Sequence, residues 1–140
     1  MAESQREVLF YDGACGLCHR WVRRCLAADP QGRVFDFSPR GGATWDRLLS
    51  EAERADAPDS IGVRTKDGRL LFKAEAVGHI GERLGHDASV RWATWPMRRL
   101  PRWVADGLYS AVARVRHWVF ARPAEACPVV PAEQRGRFLP

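Results

Sequence analysis

The sequence predicts an α/β fold in which strands and helices alternate in the order β-α-β-α-β-β-α. A short run of strand-forming apolar residues at 8–11 precedes a stretch with helical spacing, and a second strand-like run follows it. Later, Asp67-Gly68 separates two further strand-like runs, as in a β-hairpin. The chain has 140 residues, the length of one domain.

The first strand is predicted over residues 8–11, and Asp12-Gly13 ends it in a tight turn. A helix is predicted over residues 17–28, because its apolar residues recur at helical spacing and form one face. That face carries Leu17, Trp21, Val22, Cys25 and Leu26. A parallel strand connected through such a helix requires a right-handed crossover.

The next elements are a strand over residues 33–37 and a helix over residues 44–54, with Thr44 as its N-cap. Residues 61–65 and 69–72 form the predicted hairpin. A further helix follows, with Val77, Ile80 and Leu84 on one face. A mixed sheet with helices on both faces is the thioredoxin arrangement.

Residues 86–140 form a helical C-terminal extension to a core of about residues 6–85, and we expect both to belong to one domain, residues 1–140. A helix is predicted over residues 102–120, with Val104, Leu108, Val112, Val115 and Val119 in one stripe. Residues 91–122 contain seven arginines, four tryptophans and one acid, Asp106. The preferred interpretation is that the tryptophans cover the sheet. Contact with an anionic membrane surface or a protein partner is the alternative. No nucleic acid is expected, because no binding motif accompanies the charge.

The net charge of +5 is carried almost entirely by arginine, since only Lys66 and Lys73 are lysines. Residues 1–10 show no secretory pattern, and no apolar run approaches the roughly 20 residues needed to cross a bilayer. A cytoplasmic location is therefore the expectation. In a reducing compartment a close cysteine pair is more often redox-active or metal-binding than structural.

Cys15 and Cys18 form a CxxC pair between the first strand and the first helix. The free N–H groups and the dipole at a helix N-terminus stabilise an anion, so a thiolate there should have a lowered pKa. We interpret Cys15 as the nucleophile and Cys18 as the thiol that resolves the mixed disulfide. No organic cofactor is expected, because the electrons pass through the dithiol.

Two other interpretations of the pair stay open. Two thiolates suit a soft metal such as Cu(I). Zn²⁺ is also bound by cysteine, but the chain has no second CxxC, and neither His19 nor Cys25 is well placed to complete a zinc site. The chain could also be a non-catalytic adaptor that makes contacts through its Trp/Arg segment. Cys25 is predicted to be a core residue. Cys127 is either a third redox thiol or, by preference, a packing residue.

The segment from Tyr11 to Cys18, with its Asp-Gly-x-Cys-x-Leu-Cys core, resembles the signature of the DCC family of thiol–disulfide oxidoreductases. The similarity extends along nearly the whole chain, through Trp21-Val22, Phe35, Phe37, Asp59-Ser60-Ile61, Leu100-Pro101-Arg102, Leu108-Tyr109, Arg116, Trp118, Cys127 and Arg137-Phe138-Leu139. The resemblance implies a thioredoxin-like fold and exchange with a disulfide-containing protein or small thiol, with reduction of protein disulfides as the expected activity.

Three further residues are expected to support the pair. The resemblance marks Asp12, and an Asp before Gly13 accepts hydrogen bonds from the following turn or caps the helix. Acceptance of the proton from a cysteine is the alternative, and capping is preferred because a nearby carboxylate opposes a thiolate. Thioredoxins place a cis-proline beside the disulfide at the start of the third strand. Here Pro58 falls early, so Asp59 or Ser60 is expected to occupy the place facing the cysteines. The sequence therefore differs from ordinary thioredoxins in two places: at this position, and between the cysteines, where Gly16-Leu17 replaces Gly-Pro.

Overall fold

A computed structural model describes residues 6–12, 16–58, 60–119 and 136–139, with the side chains of residues 16–19 and 116–119 outside the description. The described elements follow in the order β1 (Glu7–Tyr11), α1 (Gly16–Ala28), β2 (Phe35–Pro39), α2 (Ala43–Leu48), α3 (Glu51–Asp56), β3 (Gly62–Arg64), β4 (Leu70–Phe72), α4 (Lys73–Leu84), α5 (Ala88–Arg99) and α6 (Arg102–Val119). The four predicted strands and their order along the chain are confirmed, with boundaries that move by one or two residues at most strand ends, whereas two of the helical regions differ from the prediction.

The four strands form one mixed sheet in the order β2-β1-β3-β4. β1 and β2 are parallel and joined through α1, whereas β3 is antiparallel to both β1 and β4. This is the sheet that the sequence predicts, and with helices on both faces it gives the thioredoxin-like α/β fold. The division into a core of residues 6–85 and an extension of residues 86–140 stays a prediction.

Alternation along β1 divides the core into two layers. Leu9 and Tyr11 face one layer, which also takes buried residues from α1 and α4, among them Cys25 and Ile80. Val8 and Phe10 face the other, where Trp45 of α2 packs edge-on against Phe10. Both faces of the central strand are therefore buried, which is why its sequence is continuously apolar.

The single helix predicted over residues 44–54 is wrong, because two short helices occupy this region. The first begins at Ala43 after Gly42, so Thr44 is not the N-cap and is instead buried inside α2. Ser50 starts the second helix with a reciprocal capping box: its side chain accepts from the Glu53 N–H, and the Glu53 carboxylate accepts from the Ser50 N–H. That box satisfies N–H groups at a new helix start and ends the first helix before it.

The second strand lies two residues later than predicted, because Asp29 organises the segment before it. The buried Asp29 carboxylate accepts hydrogen bonds from the N–H groups of Arg33 and Val34, at 3.0 Å each. These bonds hold residues 33–34 in the connection, so that β2 begins at Phe35. Arg137 forms a 2.8 Å ion pair with the same carboxylate. Phe138 makes a parallel bridge to Phe37, which places the described C-terminal residues beside β2.

Helix α5 was not predicted, because Pro96 lies within it. Pro96 is the fourth residue from the end of α5 and removes the N–H that would bond the Trp92 carbonyl, while Asp87 caps the first turn by accepting from the N–H groups of Ser89 and Val90. A close approach fixes α5 against α4: a Cβ on Gly81 would lie 2.7 Å from the Thr94 Cβ. Glycine at position 81 is what allows the two helices to meet there.

The expectation that the tryptophans of the extension cover the sheet is wrong for those whose side chains are described. Trp92, Trp95 and Trp103 are 70%, 49% and 79% exposed, respectively. They lie on α5 and α6, and the sheet face beneath is covered by α4 and α1 instead. Trp118 falls among the side chains outside the description, as does the segment with Cys127.

Candidate active site

The cysteine pair lies in the chain at one defined end of the sheet. β1 runs toward Tyr11, and its residue Phe10 pairs with Gly62 at the start of β3, which in turn pairs with Phe72 at the end of β4. The carboxyl end of β1, the start of β3 and the start of α4 therefore meet at the same edge. We refer to this edge as the redox end of the sheet.

Both cysteines are tied to the start of α1. The helix begins at Gly16, so Cys18 is its third residue and Cys15 directly precedes it in the chain. Cys15 itself and the side chain of Cys18 lie outside the described residues, as does Gly13. The first turn of α1 contains no acidic residue. No carboxylate of that turn therefore opposes a thiolate beside it.

Asp12 follows the last residue of β1 and is half-buried at the redox end. Its side chain has an interaction of its own. The adjacent backbone is fixed to the sheet, because the Arg40 N–H donates a 2.9 Å hydrogen bond to the Tyr11 carbonyl. The strand that delivers the cysteine segment is thus held in place up to its last residue.

Ser60 is buried and joins two segments of the redox end. Its hydroxyl donates to the Ile61 carbonyl at 3.0 Å and accepts from the Lys73 N–H at 3.2 Å. Lys73 has a φ of 55°, a conformation that a lysine adopts at a cost. Because the Ser60 hydroxyl satisfies the Lys73 N–H in that conformation, it helps to set the start of α4. Among the described residues no peptide bond is cis, so the bond before Pro58 is trans.

Tyr109 is a supporting residue that sequence reasoning missed. Its hydroxyl accepts a 3.0 Å hydrogen bond from the Ile61 N–H, across 48 positions of sequence. This contact attaches α6 to the loop that carries Ser60, so the helical extension takes part in building the redox end. In the sequence, Tyr109 is marked only by the Leu108-Tyr109 pair of the family resemblance. That pair does not indicate that the Tyr109 hydroxyl bonds to Ile61.

Cys25 is fully buried in the core, as the sequence predicts. Burial raises the pKa of its thiol from 9.0 to about 12. At pH 8 only about one such thiol in ten thousand is then ionised, and the thiolate is the reactive form. Cys25 is therefore unsuited to disulfide exchange in the folded protein.

We expect the folded protein at pH 8 to leave Cys25 unmodified by iodoacetamide, with modification appearing only after unfolding in urea. The pKa of the Cys25 thiol is higher in the folded protein than in the unfolded chain, so folding favours the protonated form. The contribution of this thiol to the free energy of unfolding is therefore complete below pH 9 and is lost as the pH rises from about 9 to 12. Urea unfolding from pH 8 to 11 should show a steeper loss of stability for the wild type than for Cys25→Ala. Equal slopes would contradict the buried, neutral thiol.

No three His, Cys, Asp or Glu side chains come together in the described part of the chain as a set of metal ligands. None of the described helices combines the length and apolar character needed to span a membrane.

The sheet order and the cysteine pair after β1 define a thioredoxin-like α/β protein with a CxxC sequence at its first helix. The family profile of the DCC1-like thiol-disulfide oxidoreductases matches residues 9–122, and the chain belongs to that family. The resemblance to the DCC family is thereby confirmed, and the general class of activity is thiol–disulfide oxidoreduction.

A relative from Arabidopsis thaliana, whose name describes it as a chloroplastic DCC family protein, is 28% identical over 125 residues. The match covers 89% of this chain and 70% of the relative. No solved structure gives a significant match. Since the name of the relative gives a chloroplast location, the cytoplasmic location of this chain stays a prediction.

Proposed function

We propose that this protein reduces disulfides in protein or small-molecule substrates through the dithiol of Cys15 and Cys18. The observation that carries the proposal is the position of the pair: the CxxC sequence follows the central strand β1 and overlaps the first turn of α1, a helix of 13 residues. The family supports thiol–disulfide chemistry in general. Burial of Cys25 argues against that cysteine as an alternative nucleophile.

The start of α1 supplies the electrostatics that this reaction needs. The first N–H groups of a helix have no partner inside the helix, and the helix dipole places partial positive charge there. An anion is stabilised at this position, so the Cys15 thiol should ionise more readily than a free cysteine and attack more often. This is the physical reason to assign the nucleophile to Cys15.

The proposed reaction transfers two electrons in two exchanges. The Cys15 thiolate attacks one sulfur of the substrate disulfide, so that a Cys15–substrate bond forms and the other substrate sulfur leaves as a thiolate. The Cys18 thiolate then attacks the Cys15 sulfur and releases the second substrate thiol. The substrate is reduced to a dithiol and the protein is oxidised to a Cys15–Cys18 disulfide, which an external dithiol must reduce for the next cycle.

Asp12, Gly13 and Ser60 have supporting roles in the proposal. Asp12 directly follows β1 and would cap the turn that leads to Cys15, while Gly13 would give that turn its conformational freedom. Ser60 fixes the loop at the start of β3, through its bonds to Ile61 and Lys73. These residues orient the segments around the dithiol and take no part in the electron transfer.

The test is a redox titration of metal-free protein in glutathione buffers, read by alkylation and peptide mass spectrometry. The Cys25→Ala, Cys127→Ser double variant removes the other two cysteines of the chain, so that any disulfide must join the pair. We expect one reversible transition in which the equilibrium changes tenfold per about 30 mV, as for two electrons. A potential near about −270 mV would indicate a reductant, and one near about −120 mV an oxidant.

Three results would contradict the proposal. The first is a pair that stays a dithiol at every potential from about −320 mV up to about −120 mV. The second is stoichiometric Cu(I) or zinc that co-purifies with the protein and protects both thiols, which would indicate a metal-binding module. The third is full function in the Cys15→Ser, Cys18→Ser double variant, which would indicate an adaptor.

A further inference from the structure

We propose that α5 and the start of α6 bind peripherally to an anionic membrane surface. The surface consists of exposed tryptophans and a leucine interleaved with arginines, and we refer to it as the Trp/Arg surface. It contains Arg91, Trp92, Trp95, Arg98, Arg99, Leu100, Arg102 and Trp103. The proposal is independent of the dithiol, because none of these residues belongs to the cysteine segment.

The exposure of the tryptophans is the first observation. Trp92 and Trp103 are 70% and 79% exposed, whereas Trp45 on the other side of the sheet is only 6% exposed. Tryptophan is usually largely buried, since its ring carries the largest apolar area of any side chain. Apolar area that remains in water in this amount marks an interaction surface.

The arrangement of α5 is the second observation. Val90 and Thr94 are its buried residues and pack toward α4. Trp92 lies opposite these buried residues, whereas Trp95, three residues further on, lies at the border between that exposed face and the groove that α5 forms with α4. Leu100 and Trp103 continue the apolar residues across the turn into α6, with exposures of 38% and 79%.

The charge is the third observation. The segment from 88 to 105 contains four arginines and no acidic residue. Within the described part of the chain, Arg91, Arg98 and Arg99 form no ion pair. Arg102 is paired with Glu75 at 2.9 Å. Three guanidinium groups thus remain to pair with an external anion.

A bilayer fits these observations better than an acidic protein does. A groove of about 680 Å³ between α4, α5 and the start of α6 is lined by Trp95, by the acids Glu75 and Glu82, and by arginines that include Arg91, Arg98, Arg99 and Arg102. An acidic peptide seated in this groove would leave the two most exposed tryptophans uncovered, because they do not line it. Trp92 and Trp103 stand outside that groove and project into solvent. An anionic bilayer offers phosphate groups beside an apolar layer and needs no matching pocket, and both tryptophan and arginine are favourable at that depth.

The test is co-sedimentation of the full chain with vesicles of phosphatidylcholine, with and without phosphatidylglycerol. We expect binding only to the anionic vesicles. An arginine near an anionic surface contributes about fivefold to partitioning, so Arg98→Ala with Arg99→Ala should weaken binding by about 25-fold. The matched control is Arg33→Ala with Arg47→Ala, which removes the same charge from exposed positions outside the Trp/Arg surface and should weaken binding by less than about threefold.

The tryptophans are tested by Trp92→Ser with Trp103→Ser, which should reduce binding by about tenfold or more. Because both side chains are exposed, the variant should keep its unfolding midpoint and its disulfide-exchange activity. The Cys15→Ser, Cys18→Ser variant should bind vesicles like the wild type, which separates this proposal from the redox function.

Four results would overturn the proposal. Anionic vesicles that bind no better than neutral ones would exclude a charge-dependent membrane site. If Arg98→Ala with Arg99→Ala and its control weaken vesicle binding equally, the protein adsorbs through its net charge. If the arginine variant weakens vesicle binding and Trp92→Ser with Trp103→Ser does not, the tryptophans do not insert into the bilayer. Tight binding to soluble polyglutamate with weak binding to vesicles would assign the surface to an acidic polypeptide.

Discussion

Replacing Cys15 with serine is expected to reduce the disulfide-exchange activity to the uncatalysed background. A hydroxyl does not form a mixed disulfide, so neither exchange step takes place, whatever the remaining structure provides. Cys18→Ser should behave differently, because its Cys15 still attacks and no thiol resolves the product. That variant should accumulate a covalent complex between Cys15 and the substrate, visible on a non-reducing gel and released by dithiothreitol.

The control for both variants is Cys25→Ala, which should retain activity because the thiol of Cys25 is buried with a raised pKa. Cys127→Ser should retain activity as well if Cys18 resolves the mixed disulfide. Trapping of the complex by Cys127→Ser and not by Cys18→Ser would overturn the assigned roles. Activity that persists in Cys15→Ser would exclude Cys15 as the nucleophile.

The sequence predicts the fold well because each strand carries a local signature. β1 is continuously apolar because both of its faces are covered, and Asp67-Gly68 marks the β3–β4 turn, where Gly68 has a φ of 87°. Local signals of this kind need no knowledge of distant partners. The order of the strands, and the presence of α1, α4 and α6, followed from them without any tertiary information.

The errors arise where a local signal was either ambiguous or overruled. In the sequence, Ser50 and Glu53 are compatible with the interior of one long helix. Only the structure shows the reciprocal capping bonds by which they start a second helix. Pro96 argues against a helix, yet α5 forms with the proline inside it, because Asp87 caps its first turn and Thr94 packs closely against Gly81 of α4. The tryptophans were expected to be buried on hydrophobicity alone. Nothing local in the sequence shows that α4 and α1 already cover that face of the sheet.

The support of the redox end was beyond sequence reasoning for a different reason. The CxxC pair is contiguous and could be recognised, whereas Tyr109 reaches Ile61 across 48 residues and Ser60 reaches Lys73 across 13. Hydrogen bonds between distant residues depend on the packing of whole elements, which a single sequence does not display. Tyr109 also shows that α6 is joined to the loop that carries Ser60.

The second large effect is expected at the other end of the chain, where Arg137→Ala should destabilise the protein by about 3–5 kcal/mol. Asp29 is only 6% exposed, and its carboxylate pairs with the Arg137 guanidinium at 2.8 Å. The same guanidinium donates to the Asp29 carbonyl at 2.8 Å and to the Phe35 carbonyl at 2.9 Å. Alanine would leave a buried charge and two carbonyl groups without these donors, and urea unfolding measures the cost.

Two further variants separate the lost pair from simple loss of packing. Adding Asp29→Asn to the Arg137→Ala protein removes the uncompensated charge. The Arg33 and Val34 N–H groups bond to different oxygens of the carboxylate, so the single amide oxygen keeps one of these two bonds. The double variant should therefore be more stable than Arg137→Ala alone. Arg137→Lys keeps the charge but not the forked geometry, so its stability should fall between wild type and alanine.

If Arg137→Ala changes stability by less than about 1 kcal/mol, the value for an exposed pair, the contact does not anchor residues 136–139 to β2. A double variant no more stable than Arg137→Ala would show that the cost arises from packing and not from the buried charge.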